Sequence, residues 1–164
     1  MIPNNPIAKN VARYVRDLLD YDERLIKFDR ENTQQNDLVT NYIVINTSSP
    51  QTVISHGETY DGDSEIMTYS SSEKRSIILE FYGSGAYSNA EAFSILNQSQ
   101  KAREVSRDLG LTVKNVSSVT DVKQLLGYQY GNRVHVEFII QYCPSADVSV
   151  LRVDTVESTI TVDK

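Results

Sequence analysis

The sequence is poor in the side chains that build disulfides and metal centres. Its 164 residues include one cysteine, Cys143, and two histidines, His56 and His135. A single cysteine excludes a disulfide within the chain, and three such residues do not readily complete the four-ligand shell of structural zinc. We therefore expect a fold that its apolar core stabilises, with no metal and no cofactor.

The sequence also lacks a long apolar run, an excess of positive charge and tryptophan. No segment approaches the roughly 20 apolar residues of a membrane-spanning helix, and the first residues, MIPNNPIAKNV, carry no signal-peptide core. The net charge of -6 argues against tight binding of nucleic acid. We interpret the ten tyrosines as core-rim or protein-contact residues rather than base-stacking platforms. These features predict a protein that stays in the cytosol, without a membrane partner.

What is present is typical of one globular domain over residues 1–164. Hydrophobic residues make up 40% of the chain and charged residues 23%. The clearest strand lies within residues 127–142, where apolar side chains occupy every second position. These alternating residues are Val134, Val136, Phe138 and Ile140. Because Ile139 interrupts the polar side of the alternation, we predict a central strand whose second face is also partly covered.

An N-terminal helix is predicted from Asn5–Pro6 to about Asp20. Asparagine caps free helix amides, and proline fits the first helical turn. One stripe of the helix is apolar and is expected to pack on the sheet. This stripe consists of Ile7, Val11, Tyr14, Val15 and Leu18.

A second, long central helix is predicted to begin at Ser88. Ser88 and Glu91 have the spacing of a capping box, and Gly110 is placed to end the helix. The helix would run for about six turns. Its Ile95, Leu96 and Val105 side chains are expected to face the sheet.

Most of the other apolar segments are predicted to be strands. They are Arg24–Phe28, Asn41–Asn46, Thr52–Tyr60, Glu65–Tyr69, Ser76–Tyr82, Leu111–Val116, Val148–Val153 and Thr159–Val162. The second and third of these are expected to pair antiparallel. Asp29–Thr40 and Ser70–Lys74 are polar and are predicted to be loops, whereas Thr120–Leu126 is predicted to be a short helix. The order of elements predicts an α+β fold in which two helices pack on a mostly antiparallel sheet.

Two local patterns resemble ligand-binding motifs but lack required positions. Gly83-Ser84-Gly85 lies between a strand and a helix, as in dinucleotide-binding folds, yet serine stands where the third glycine belongs. Asp61, Asp63 and Glu65 alternate as in a calcium loop, yet Ile66 and Ser72 stand where an EF-hand needs glycine and glutamate. We interpret the first pattern as a turn and the second as a solvated hairpin. No catalytic, cofactor or metal residue is predicted.

Four carboxylates nevertheless form a candidate contact surface. Glu58, Asp61, Asp63 and Glu65 lie within eight residues, 58–65. Such charges repel one another, so they must be solvated or meet basic groups of a partner. We predict a protruding hairpin whose carboxylates are solvated or contact a partner.

The second half of the chain resembles a known family. The resemblance rests on LEFYGSGAYSNAEAF (79–93), LGLTV (109–113), TDVKQLLGYQYGNRVHVEFIIQY (120–142) and VDTVESTITV (153–162). These segments are similar to the neck or tail terminator proteins of tailed bacteriophages, and the first half matches in its order of elements. The resemblance implies an α+β fold and a structural virion protein rather than an enzyme.

The same resemblance implies the partners. Proteins of this kind assemble as a ring, usually a hexamer, that caps the finished tail tube and joins it to the head connector. The expected partners are further copies of the chain, the tail tube protein, the head-completion or connector protein, and genomic DNA that passes without specific binding. The expected location is the virion neck, after assembly in the host cytoplasm. A related head-completion or tail-tube protein, and a small nucleotide-binding domain, remain the alternatives.

Overall fold

The computed structural model describes residues 6–28, 40–47, 51–122, 124–126 and 129–150. Three α-helices lie in these ranges: α1 (Pro6–Leu19), α2 (Ala86–Leu96) and α3 (Gln100–Asp108), with a short 3-10 turn at Glu23–Leu25. The strands are β1 (Ile26–Phe28), β2 (Tyr42–Asn46), β3 (Thr52–Asp61), β4 (Ile66–Tyr82), β5 (Leu111–Asp121), β6 (Gln124–Leu126), β7 (Gln129–Gly131), β8 (Arg133–Tyr142) and β9 (Ser145–Ser149). This architecture confirms the predicted α+β fold with a mostly antiparallel sheet.

The 17-residue strand β4 is the spine of the sheet. Along one edge its C-terminal half pairs with β2 and its N-terminal half with β3, both antiparallel. Along the other edge the same two halves pair with β8 and β9. Outside β4, the strand β1 pairs parallel with β2, and β5 pairs with β8. The predicted central position of β8 is therefore correct, because it lies between β4 and β5.

The core lies between the helices and one face of the sheet. Alternate residues of β8 and of the C-terminal half of β4 are almost fully buried, as their period of two predicted. These residues are Ile77, Leu79, Phe81, Val134, Val136, Phe138 and Ile140. From α1, Val11, Tyr14, Val15 and Leu18 join the same cluster, and Ile7 packs against it. Both predicted faces are confirmed.

Phe93 of α2 is the aromatic centre of this core. Its ring lies 5.4 Å from the ring of Phe138 and 6.3 Å from those of Phe81 and Tyr14. The prediction that Ile95 faces the sheet is wrong, because Ile95 is 65% exposed. Leu96 and Val105, by contrast, pack against the core as predicted.

The prediction of one long central helix is wrong, because α2 and α3 are separate. At the break, the buried Asn97 accepts a hydrogen bond from the Tyr14 hydroxyl at 2.7 Å and donates one to the Lys114 carbonyl at 3.1 Å. Ser99 then caps α3, since its hydroxyl accepts from the Ala102 amide. These contacts of side chains with distant elements replace helical continuity across residues 97–99.

The predicted capping box is also wrong. Helix α2 begins at Ala86, before the exposed Ser88 and Glu91. The Gly85 amide at its start donates instead to the Asn41 side chain at 2.7 Å. At the other helix, α1 begins at Pro6 and ends at Leu19, close to the predicted bounds, while Asn5 lies outside the described residues.

Three strand predictions need correction. Asn41–Asn46 and Thr52–Tyr60 do not pair with each other, because β2 and β3 follow one another along the same edge of β4. Ser70–Lys74 is not a loop but part of β4, where neighbouring strands on both edges override its weak apolar pattern. Thr120–Leu126 is not helical, because its residues end β5 and form β6.

The other strand predictions are mixed. Ser76–Tyr82 and Leu111–Val116 are confirmed as parts of β4 and β5. Val148, the first residue of the predicted strand Val148–Val153, lies in β9 and is 48% exposed. The predicted loop at 29–39 and the predicted strand Thr159–Val162 lie outside the described residues.

Candidate interaction surface

One end of the sheet forms a three-stranded arm. We define the arm as β3, the following turn, residues 66–72 of β4, and β9. None of its residues is buried, and the first buried side chain of β4 beyond it is Glu73. A ten-residue strand such as β3 spans roughly 30 Å. The arm is thus a ribbon that contributes nothing to the core.

The predicted acidic residues all lie at the outer end of this arm. Glu58 is on β3 opposite Tyr69, and Asp61 closes the hairpin opposite Ile66. Asp63 and Glu65 lie in the turn between the strands. Glu65 is half-buried and the other three are exposed. The structure therefore brings the four carboxylates to one protruding hairpin, as the sequence predicted.

Asp61 also shapes the turn. Its carboxylate accepts the Asp63 amide at 3.1 Å and the Ser64 hydroxyl at 2.6 Å. The Ser64 hydroxyl, followed by the Asp63 amide, lowers the pKa of Asp61 because both donors favour the charged form. Glu65 completes the reversal with a φ of 54°, and its carbonyl accepts the Val150 amide at 2.9 Å. Strand β9 thereby reaches the same tip.

Sequence reasoning missed a fifth carboxylate of the arm, Asp147. The register places Asp147 of β9 opposite Thr68, whose hydroxyl donates to it at 2.8 Å. No local signal in the sequence indicates this neighbour, because residues 68 and 147 meet only through β4. In the part of the chain that the structure describes, no group of three or more acidic, histidine or cysteine side chains could hold a metal ion.

The Gly83-Ser84-Gly85 turn is filled by the protein itself. Gly83 has a φ of +96°, and a Cβ atom there would lie 2.6 Å from the Thr40 carbonyl and from the Asn41 side chain. Both glycines thus allow the turn to pack closely against Asn41, whose side-chain oxygen accepts a hydrogen bond from the Gly85 amide. The geometry is that of a strand-to-helix turn, as the sequence predicted.

A buried ion pair lies on the sheet face opposite the core. The Glu80 side chain is 1% exposed and accepts hydrogen bonds from Arg133 at 2.8 Å and from the Tyr82 hydroxyl at 2.6 Å. Burial, followed by the Glu80 hydrogen bond, raises the pKa of Tyr82. His135 Nε2 lies 3.8 Å from the carboxylate. Because the guanidinium neutralises the carboxylate, we assign this cluster a structural role.

Comparison with protein families gives a match over nearly the whole chain. Residues 5–164 match the family model described as phage neck terminator protein. The chain belongs to this family. No curated protein matches the sequence at a significant level.

Membership in the neck terminator family confirms the resemblance found in the sequence and extends it to the first half of the chain. The family is one of structural phage proteins of the neck, so the chain is a virion component. No helix within the described ranges is both long and apolar enough to cross a membrane.

Proposed function

We propose that the chain assembles as a ring, a hexamer, that terminates the tail tube and joins it to the head connector. Membership in the phage neck terminator family is the observation that carries this proposal. The arm supports it, because a ribbon without buried residues is suited to contacts between subunits. The subunits meet head to tail, since such contacts form a closed ring when the rotation between neighbours allows it.

We further propose that residues 1–164 form one domain and that assembly takes place in the host cytoplasm. The family model spans almost this entire range. In the ring, the carboxylates of Glu58, Asp61, Asp63 and Glu65 face basic groups of a neighbouring component or line the channel. In the channel, their charge would keep passing DNA from binding to the wall. At a joint, it would set partner choice and docking rate.

The test combines particle imaging with complementation of a phage that lacks this protein. Wild-type protein should form rings that also occur at the ends of tail tubes. If it remains monomeric both at high concentration and on tail tubes, the proposal is wrong.

A fourfold neutral variant tests the acidic tip. Glu58→Gln, Asp61→Asn, Asp63→Asn and Glu65→Gln together should leave the melting temperature nearly unchanged, because exposed charges contribute little to stability. Asparagine at position 61 keeps the oxygen that accepts the Asp63 amide. We expect a folded protein with impaired head-to-tail joining or DNA delivery, seen as fewer complete particles and reduced infectivity. Full infectivity of this variant would contradict a role for the tip.

A further inference from the structure

One face of the arm is apolar and lies open to solvent. Cross-strand pairing places Tyr60, Met67 and Val148 in one row, and Glu58, Tyr69 and Ala146 in the next, so Glu58 is the one carboxylate within these two rows. Tyr60 is 43% exposed, Tyr69 44% and Val148 48%. Cross-strand partners point to the same side of a sheet, so these side chains form one continuous patch.

The opposite face of the arm is polar. Its cross-strand rows are formed by Asp61 with Ile66 and Ser149, by Thr59 with Thr68 and Asp147, and by Gly57 with Ser70 and Ser145, so Ile66 is its one large apolar residue. The arm is therefore amphipathic in the way of a sheet that packs one face on another protein layer. Met67 and Tyr69 lie an even number of positions from the buried Ile77, so the apolar face continues the sheet face that carries the helices.

Such a ribbon needs a cover for its apolar face. Isolated strands become stable when a hydrophobic face packs against another layer, and contiguous exposed apolar patches mark interaction sites. Tyrosine and methionine are the residue types enriched in protein interfaces. The arm carries tyrosine and methionine on this face. None of its described residues is buried, so no helix of the described structure covers them.

The charges of the arm indicate the chemistry of its partner. Residues 52–72 and 145–149 contain five carboxylates, namely the four at the tip and Asp147, and no lysine or arginine. Two such arms would repel each other, which disfavours a symmetric arm-to-arm contact. The partner surface must combine apolar and basic side chains.

The outer surface of the helix layer of this same chain has that combination. Tyr87 and Ile95 of α2 are 62% and 65% exposed and lie on one stripe. In the same helix layer, where α1 contacts both α2 and α3, α1 and α3 expose five cations, against three carboxylates on the three helices. The cations are Lys9, Arg13, Lys101, Arg103 and Arg107, and the carboxylates are Glu91, Glu104 and Asp108. Among the described residues, none of these cations takes part in an ion pair.

Two of the cation pairs have an unfavourable spacing. Lys9 with Arg13, and Arg103 with Arg107, stand four residues apart on one helix face. Like charges at this spacing repel each other and destabilise a helix slightly. The clustered carboxylates at the arm tip also repel one another. An opposite charge from another molecule relieves both repulsions.

We propose that the apolar face of the arm docks on the outer surface of the helix layer of a second copy of this chain. The acidic tip then meets the cations of α1 and α3, while Tyr60, Met67 and Val148 cover Tyr87 and Ile95. Because the arm and the helix layer are different surfaces, the contact is head to tail. An open chain of subunits would therefore have an unoccupied arm at one end and an unoccupied helix layer at the other. This inference rests on the proposed ring and names the interface that closes it.

The first test removes the apolar row. Tyr60→Ser with Val148→Ser should weaken self-association of the full-length protein at least about tenfold, measured by sedimentation velocity, because aromatic anchors dominate interfaces. The matched control is Thr59→Ser with Ser145→Ala, which alters exposed, uncharged residues of β3 and β9 on the polar face and should change association little. Thermal melting checks that each variant is folded. Equal association of the apolar and the control variants would overturn the proposal.

The second test exchanges charges between the two surfaces. Glu58→Lys with Asp63→Lys on the arm should weaken association at least about tenfold. One of two helix variants should weaken it to the same extent. These are Lys9→Glu with Arg13→Glu, and Arg103→Glu with Arg107→Glu. Combining the arm variant with that helix variant in one chain should restore association to within about threefold of the wild type. If neither helix pair rescues the arm variant, the arm docks elsewhere and the proposal is wrong.

These outcomes separate the interface from the ring itself. If rings persist in the apolar and charge variants, the interface is wrong while the ring stands. If wild-type protein associates only into open chains, and the charge exchange still rescues, the interface stands while the ring is wrong. Wild-type protein that stays monomeric at all concentrations and on tail tubes overturns both.

Discussion

Removal of the Arg133 side chain should destabilise the protein strongly, because Arg133 pairs with the buried carboxylate of Glu80. The guanidinium reaches the Glu80 carboxylate at 2.8 Å, and the two side chains are 12% and 1% exposed. Arg133→Met preserves much of the side-chain volume but removes the guanidinium that pairs with this buried carboxylate. Breaking a buried pair in this way typically lowers the free energy of unfolding by about 3–5 kcal/mol. The Tyr82 hydroxyl still donates to Glu80, so we expect about 3 kcal/mol.

The exposed pair of Arg24 and Asp22 is a matched control. It is shorter, at 2.6 Å, and three hydrogen bonds join the two side chains, but the side chains are 88% and 40% exposed. Solvent screens such a pair, so Arg24→Met should lower the free energy of unfolding far less than Arg133→Met does. Burial, rather than distance, is the variable under test.

Urea unfolding monitored by circular dichroism provides the measurement. A double variant, Glu80→Leu with Arg133→Met, removes both charges and should recover most of the stability lost in Arg133→Met. Equal losses for Arg133→Met and Arg24→Met would refute the reasoning. So would a double variant that is no more stable than Arg133→Met, because the orphaned charge would then not be the cause.

Two further predictions concern the core and alkaline pH. Leu96→Asp should lower the free energy of unfolding by about 3 kcal/mol, because Leu96 packs against the core. Ile95 is 65% exposed, so Ile95→Asp should change the free energy of unfolding little. Equal melting temperatures of the two variants would contradict the orientation of α2. Burial raises the pKa of Tyr142 from 10.0 to about 12 and also raises that of Tyr82. Both side chains therefore stabilise the fold fully below pH 10.0. The contribution of Tyr142 is lost as the pH rises to about 12. Melting followed with phenolate absorbance should show this alkaline loss, reduced in Tyr142→Phe but not in the exposed Tyr87→Phe.

Periodicity predicted the buried faces because burial was the only constraint on them. In β8 and the C-terminal half of β4, every second residue is apolar and is buried in the structure. The stripe of α1 follows the same rule with the helical period. Where local pattern and tertiary environment agree, the sequence suffices.

The break between α2 and α3 could not be predicted because its cause is distant in the chain. Asn97 is held by Tyr14, 83 residues away, and by the Lys114 carbonyl. From sequence alone, Asn97 and Ser99 read as polar residues on the surface of one continuous helix. The same limit applies to Ser70–Lys74, which becomes a strand through partners on both edges of β4.

The candidate surface was predicted in part. The four tip carboxylates are adjacent in sequence, so their clustering could be predicted from turn residues and charge. Asp147 and the row of Tyr60, Met67 and Val148 could not, because they meet through the register of three strands. Long-range register, rather than composition, decides which side chains share a face.

Strand β4 runs from the core into the arm, so the packed sheet sets the direction of the arm. Its register with β8 and β9 runs without a shift from Tyr82 to Ile66, so the arm extends a packed sheet rather than hanging from a linker. The body therefore sets the direction of the arm before a partner binds, which reduces the ordering needed on association. Yet the arm holds no buried residue. Substitutions on its exposed faces should accordingly leave monomer stability within about 0.5 kcal/mol of the wild type, and any loss of assembly that they cause reports on the contact itself.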